Sequence, residues 1–159
     1  MGRNKQAFIN ENIMKTPFSV VPDTNVVLAS QKSISKSSPN KEFFDRWRND
    51  EFEILYSDDM LFEYIEKMRQ LKLSKEIIKK MIRVMLELGR HISIVFYHLP
   101  LYPLDSDDIA FLLCAENGNA THIVSYDSHL KRIGYFYSFR VCETLDFLVE
   151  LREELSEKK

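Results

Sequence analysis

A short β-branched run that ends on an acid, Val20-Val21-Pro22-Asp23, and its recurrence much later as Ile123-Val124-Ser125-Tyr126-Asp127, narrow the folds open to this chain. Each run is apolar, too short for a core helix, and bounded by turn residues, so each reads as a buried strand. Buried strands that alternate with amphipathic helices imply an α/β domain with a mainly parallel sheet and right-handed crossovers. Open sheets of that kind put ligands outside the carboxyl ends of their strands. Asp23 and Asp127 stand at that place in their strands. An Asp there also serves as a helix N-cap or turn former, so neither acid is a site residue on its own evidence.

The rest of the chain fills in the alternation. The first strand covers 18–21, and Asp23 to Asn40 reads as a polar loop, rich in Ser and Lys, that turns helical at Val26. Ser38 then opens a helix whose Phe43, Phe44 and Trp47 fall at helical spacing, which assigns these aromatics to the core and not to a stacking platform. A second strand is expected over 51–56, followed by a helix capped by Ser57, with Leu61, Ile65 and Met68 as its apolar stripe. Ser74 caps the next helix, Lys75 to Leu88, and Gly89 stops it. A third strand over 91–96 leads through Leu99-Pro100-Leu101-Tyr102-Pro103 to a helix that is apolar on nearly every side from Ile109. Strands over 120–125 and 135–141 and a helix from Thr144 to Leu151 complete a sheet of about five strands. Residues 1–17 read as a flexible lead-in without the apolar stretch of a signal sequence, 18–151 as one domain, and 152–159 as a polar tail.

Composition limits the functional classes. At 159 residues the chain supports one sizeable core, and a net charge of -2 with a pI near 6.1 excludes the strongly basic balance of non-specific nucleic-acid binders, though not a local basic face. Its 2 cysteines, Cys114 and Cys142, lie in apolar runs without metal-ligand spacing, as expected of core residues in a cytoplasmic, reducing setting. No run reaches the length of a membrane span, so no membrane partner is expected.

The parallel topology brings four acids towards one edge: Asp23 and Asp127 at strand ends, Glu63 on the helix after the second strand, and Asp108 at the mouth of the buried helix. Each also has an ordinary explanation, Glu63 as a solvated side chain and the acids of Asp105-Ser106-Asp107-Asp108 as caps. Asp58 and Asp59 suit the dipole of a first turn and are read as structural. Four converging carboxylates repel one another unless a divalent cation neutralises them, and hard oxygen donors favour Mg²⁺ or Mn²⁺. Such an ion polarises a phosphoryl oxygen and acidifies a bound water, which points to phosphodiester hydrolysis. Lys72, Lys75 and Lys79 on the helical arm, with Lys131 and Arg132 beyond the fourth acid, are the candidate phosphate contacts, although a charged helix face is commonly just solvated.

Taken in order, Val-Pro-Asp23-Thr24-Asn25-Val26-Val27, Ser57-Asp-Asp-Met-Leu-Phe-Glu63, Asp105-Ser-Asp107-Asp108 with Ala115 beyond, Ile-Val-Ser125-Tyr-Asp127 and Thr144-Leu-Asp-Phe147-Leu148 resemble the PIN domain family, from about Phe18 to about Leu151. The resemblance is to the branch often labelled as toxin components of toxin–antitoxin systems. It implies a Rossmann-like three-layer α/β/α fold and a metal-dependent endoribonuclease holding Mg²⁺ or Mn²⁺ through Asp23, Glu63, Asp108 and Asp127. By the same likeness Asn25 and Ser125 support the site, and Asp105 and Asp107 are extra acids, Asp107 the nearer contributor. An RNA substrate, an antitoxin protein and a homodimer are the implied partners. One departure stands out: many members carry another acid two residues past the fourth, where this chain has His129, so a second metal site is in question and His129 becomes a phosphate- or water-contacting candidate.

Two other readings compete. The first is a PIN-like domain that binds RNA or protein without cleaving. The second is a phosphatase using Asp23 as nucleophile, which Asp23-Thr24-Asn25 suits poorly because haloacid-dehalogenase-like enzymes carry a second acid two residues on.

Overall fold

The computed structural model describes residues 15–32 and 38–158; most of the expected lead-in, and Ser33 to Ser37 of the expected polar loop, lie outside them. Five parallel strands, β1 (Ser19–Pro22), β2 (Glu53–Tyr56), β3 (Arg90–His91), β4 (His122–Val124) and β5 (Arg140–Cys142), pair in the order β3-β2-β1-β4-β5. Seven α-helices accompany them among the described residues: α1 (Thr24–Lys32), α2 (Pro39–Arg48), α3 (Asp58–Gln70), α4 (Lys75–Leu88), α5 (Ile109–Asn117), α6 (Ser128–Ile133) and α7 (Thr144–Glu157). No helix among the described residues is long and apolar enough to cross a membrane.

The strand order carries the main functional consequence. From β1 the chain moves outward to β2 and β3, then returns across the sheet to place β4 against the other side of β1. The order thus reverses between β1 and β4, and outside the carboxyl ends of strands at such a switch point is where open α/β sheets have their ligand crevice. Val20, Val21 and Pro22 stand opposite His122, Ile123 and Val124, and the Asp23 N–H continues the ladder to the Val124 carbonyl at 2.9 Å. Asp23 and Ser125 therefore emerge side by side.

The helices seal the sheet with the residues that periodicity assigned to the core. Helix α5, buried at Phe111, Leu112, Leu113, Cys114 and Ala115, lies across β1, β2 and β4. Phe43 of α2 meets Phe147 of α7 at 5.5 Å and Phe52 at 5.0 Å, while Phe44 and Trp47 are buried beside them. These aromatics are core, as their spacing predicts. Both cysteines are free and buried.

Several boundaries differ from expectation, each for a local reason. Helix α1 starts at Thr24, not Val26, because the Asp23 carbonyl accepts from Val26 N–H at 3.0 Å and the Asp23 carboxylate from Thr24 N–H at 2.7 Å. The expected third strand over 91–96 is paired only at Arg90 and His91. Beyond Ile92 a side chain replaces the neighbouring strand: Asn117 Oδ1 accepts from Val95 and Phe96 N–H at 2.8 and 3.1 Å, and its Nδ2 donates to the Phe96 carbonyl at 3.0 Å. The expected fifth strand over 135–141 begins instead as a 3₁₀ turn, Gly134–Phe136, and pairs only from Arg140. Gly134 has no room to be anything larger, since a Cβ there would meet Val141 Cγ2 at 2.6 Å. The stripe of α3 is Met60, Tyr64 and Met68, with Leu61 and Ile65 only partly buried. At the other end, residues read as a polar tail continue α7 through Glu157.

Candidate active site

Two strands, one 3₁₀ turn and two helix starts supply the acids. Asp23 follows β1 directly and is buried, with both carboxylate oxygens engaged: Oδ1 accepts from Thr24 N–H at 2.7 Å and Oδ2 from the Ser125 hydroxyl at 2.7 Å. Ser125, fully buried after β4, also accepts from the Asp127 N–H at 3.0 Å, so a single hydroxyl links the two strand-end acids. Asp127 is half-buried and caps α6, its Oδ1 accepting from His129 N–H at 2.8 Å.

Asp108 closes the 3₁₀ turn Ser106–Asp108 and leads into α5. Its Oδ2 is buried and has no hydrogen-bond partner. Burial first, then the charges of Asp23, Asp127, Asp105 and Asp107, push its carboxyl up to about 7. The Asp23 carboxyl is raised too, again mainly by burial; its bonds from Ser125 and Thr24 pull the other way, and the charges of Asp127 and Asp105 add to burial. Asp23, Asp108 and Asp127 therefore act on one another through space, as acids meeting at one edge must.

Glu63, on the second turn of α3, is half-buried, and its carboxyl is raised by burial and then by Asp107, with Lys67 opposing and Glu66 and Asp105 adding smaller effects. The charges of Asp105 and Asp107 act on both Glu63 and Asp108, whereas Asp23 and Asp127 act on Asp108 and are not among the groups that shift Glu63. Asp105 and Asp107 are exposed, and Asp105 spends one oxygen capping the turn through Asp107 N–H at 2.9 Å. Asn25 is exposed in the first turn of α1. His129 Nε2 accepts from Leu104 N–H at 3.2 Å, so this side chain ties α6 to the segment that delivers the acidic turn. Of the candidate phosphate contacts, Lys72, Lys75 and Lys79 are exposed around the α3–α4 turn, Lys131 pairs with Glu143 at 2.8 Å, and Arg132 is exposed.

Two residues that matter here were not singled out from the sequence. The Thr24 hydroxyl, next to Asp23, is buried without a partner, as Asp108 Oδ2 is. Tyr64, wholly buried on α3, donates its hydroxyl to the Pro22 carbonyl and so fixes the end of β1 immediately before Asp23. The signal for Tyr64 was its place between Met60 and Met68 at four-residue spacing, since a Tyr on a buried stripe needs a partner for its hydroxyl.

The donors suit a hard divalent cation. They are carboxylate and hydroxyl oxygens, and two of them, Asp108 Oδ2 and the Oγ1 of Thr24, which follows Asp23 in the chain, are costly to bury unpaired. Among the described residues no three His, Cys, Asp or Glu side chains are already gathered into a metal-binding group. A family model described as a PIN domain matches residues 19–129, which takes in β1 through the first turn of α6 and all four acids. No curated protein matches the chain.

Proposed function

Because the chain belongs to the PIN domain family, whose fold is of the nuclease type, we propose that it is a metal-dependent endoribonuclease. Asp23, Asp108 and Asp127 would hold Mg²⁺ or Mn²⁺, with Glu63 closing the site from α3. The observation that carries this reading is the buried, unpartnered Oδ2 of Asp108, a carboxyl on which the charge of Asp23 acts. A carboxylate oxygen kept from both water and protein donors is a penalty that cation binding relieves.

When bound, the ion supplies Lewis acidity at a phosphoryl oxygen and a more acidic water. The chain's own residues do the positioning. Ser125 and the Thr24 N–H hold Asp23 in one orientation, and Tyr64 holds the backbone that leads to it. Ser125 also orients the Asp127 backbone, while the α6 cap takes one Asp127 oxygen and leaves the other to the crevice. A phosphodiester at the switch point faces these acids directly, and the metal-free edge would repel it.

An antitoxin partner, a homodimer and a cytoplasmic site of action belong to the same proposal, as features of the branch the motifs resemble. Nucleophilic phosphatase chemistry at Asp23 is disfavoured, since Asn25 stands two residues on, where haloacid-dehalogenase-like enzymes carry a second acid. A domain that binds RNA without cleaving it is the second reading, favoured by the absence of a gathered ligand group among the described residues.

One assay separates the three. The protein is incubated with labelled single-stranded RNA, and separately with a phosphate monoester, in Mn²⁺ or in EDTA. RNA cleavage that needs Mn²⁺ and disappears in Asp23→Asn is the expected result. RNA binding without cleavage establishes the second reading, and ester hydrolysis alone the phosphatase.

A further inference from the structure

Helix α6 starts at Asp127 and ends in the turn Gly134–Phe136, which presents two consecutive aromatics to solvent: Tyr135 is 91% and Phe136 67% exposed. The tight seat of Gly134 on Val141 fixes this turn against β5. A second segment lies alongside. Tyr137 Oη donates to the Leu101 carbonyl at 2.5 Å and Leu104 N–H donates to His129, which pins Tyr102 and Leu104, 57% and 89% exposed, to the same side of the molecule. Large aromatics held rigidly in water are unfavourable for the free chain, and a patch of them marks a contact surface.

The surface also carries an unpaired cation beside a cleft. A cleft of about 500 Å³ runs under the turn, lined among others by Lys131, Arg132, Tyr135, Tyr137, Arg140 and Asp146. Lys131 is engaged by Glu143 and Arg140 by Glu150, whereas Arg132 forms no ion pair among the described residues and points its charge outward from α6. Six helical residues span about 9 Å, so the acids at one end of α6 and the aromatics at the other lie within reach of one extended strand. Exposed rings beside cations are how proteins hold unpaired bases and their phosphates, and a duplex offers no free base faces to such rings.

We propose that Tyr102, Tyr135 and Phe136 form a base-stacking subsite for unpaired nucleotides, one helix length from the strand-end acids, with Arg132 taking a backbone phosphate. The occupant is single-stranded RNA. The proposal deepens the nuclease reading and rests on it for the identity of the ligand, but its test does not depend on catalysis.

Binding of a labelled oligouridylate and of an RNA duplex of equal length is followed by fluorescence anisotropy, with the full chain in EDTA so that nothing is cleaved. The single strand binds more tightly than the duplex. Joint replacement Tyr135→Ala and Phe136→Ala weakens it about tenfold to a hundredfold, the usual loss for one or two stacked bases. Tyr135→Trp retains binding, and Arg132→Ala reduces the slope of log affinity against log salt by about 0.7. Both aromatics are exposed, so the variants keep the wild-type melting temperature.

The subsite is overturned if wild type binds the oligonucleotide neither in EDTA nor in Ca²⁺ with the RNA intact, if duplex binds equally well, or if the double variant binds unchanged. It is equally overturned if sedimentation shows a dimer that the double variant dissolves, which would make the patch a self-contact. Metal-dependent cleavage with unchanged binding in the double variant would reject the subsite and leave the nuclease. Aromatic-dependent binding with no cleavage in Mn²⁺ would do the reverse.

Discussion

The two strand-end acids look interchangeable in sequence and differ in structure. Asp23 is buried, has both oxygens committed, and is raised in pKa by that burial, whereas Asp127 is half-buried and commits one oxygen to the start of α6. The same strand–acid unit thus yields a fixed anchor at the centre of the sheet and a more accessible carboxylate beside it. Distance from the strand explains the difference, because Asp23 follows β1 directly and its N–H still pairs with the Val124 carbonyl, while Ser125 and Tyr126 separate Asp127 from the end of β4. The Ser125 hydroxyl couples the two by donating to one acid and accepting from the backbone of the other.

Removing the anchor has the largest expected effect. Asp23→Asn should lower metal-dependent cleavage on the order of a thousandfold, the loss of several kcal/mol of charge stabilisation, while calorimetry still shows a folded protein. Comparable activity in Asp23→Asn and wild type would mean that the buried acid is a helix cap and nothing more.

The next test moves down the same strand pair, to His122 opposite Val20. Burial, and after it the Arg140 guanidinium, push this imidazole down from 6.5 to about 4. Glu150 against Nε2 acts in the opposite sense, but Arg140 claims the same carboxylate, and burial beside Phe18 and Phe147 prevails. Since the folded pKa lies below the unfolded one, the unfolded chain takes up a proton that the folded chain refuses. Stability is therefore full above pH ~6.5 and falls as pH drops towards ~4, by about 3 kcal/mol from this residue. Urea melts across that window check the slope, and His122→Gln should flatten it; a slope that survives the substitution assigns the effect to other groups.

Ser125→Ala tests the coupling itself. Both acids lose a shared support, and cleavage or metal affinity should fall about tenfold to a hundredfold, as for other residues that orient ligands. A deficit confined to stability, with turnover intact, would show that the two acids work independently.

The smallest effect separates the two duties of Asp127. Asp127→Asn keeps a side chain able to cap α6, so stability should hold while activity drops; Asp127→Ala loses the cap as well, at about 1 kcal/mol, read as a lower urea midpoint. Equal stability of the two variants would remove capping from the account of this residue.

Much of the scaffold could be read in advance because burial dictates residue type. Apolar strands, the Phe43, Phe44 and Trp47 face and the Ser57 and Ser74 caps are local consequences of pattern, and the structure keeps them. The acids at the carboxyl edge followed from parallel topology. What was not legible depends on single side chains acting at a distance. Asn117 lies far along the chain from Val95, yet it ends the sheet there by occupying the groups a strand would use. Tyr64 and Thr24 earn their places only once β1, α3 and α1 are assembled. The aromatic turn after α6 reads as strand because Tyr and Phe favour strands, and tertiary packing of Gly134 overrides that preference.

The clamp made by Asn117 also partitions the long connection between β3 and the acidic turn. One amide fastens its first part to the end of α5, burial of Leu99 and the Tyr137 bond to the Leu101 carbonyl hold its middle, and His129 fastens the last part at Leu104. The exposed positions between those fastenings, Tyr97, His98, Pro100 and Tyr102, can change without dragging Asp108 out of register. They are replaceable points on a fixed frame, where the surface can be redrawn while the acidic edge stays as it is.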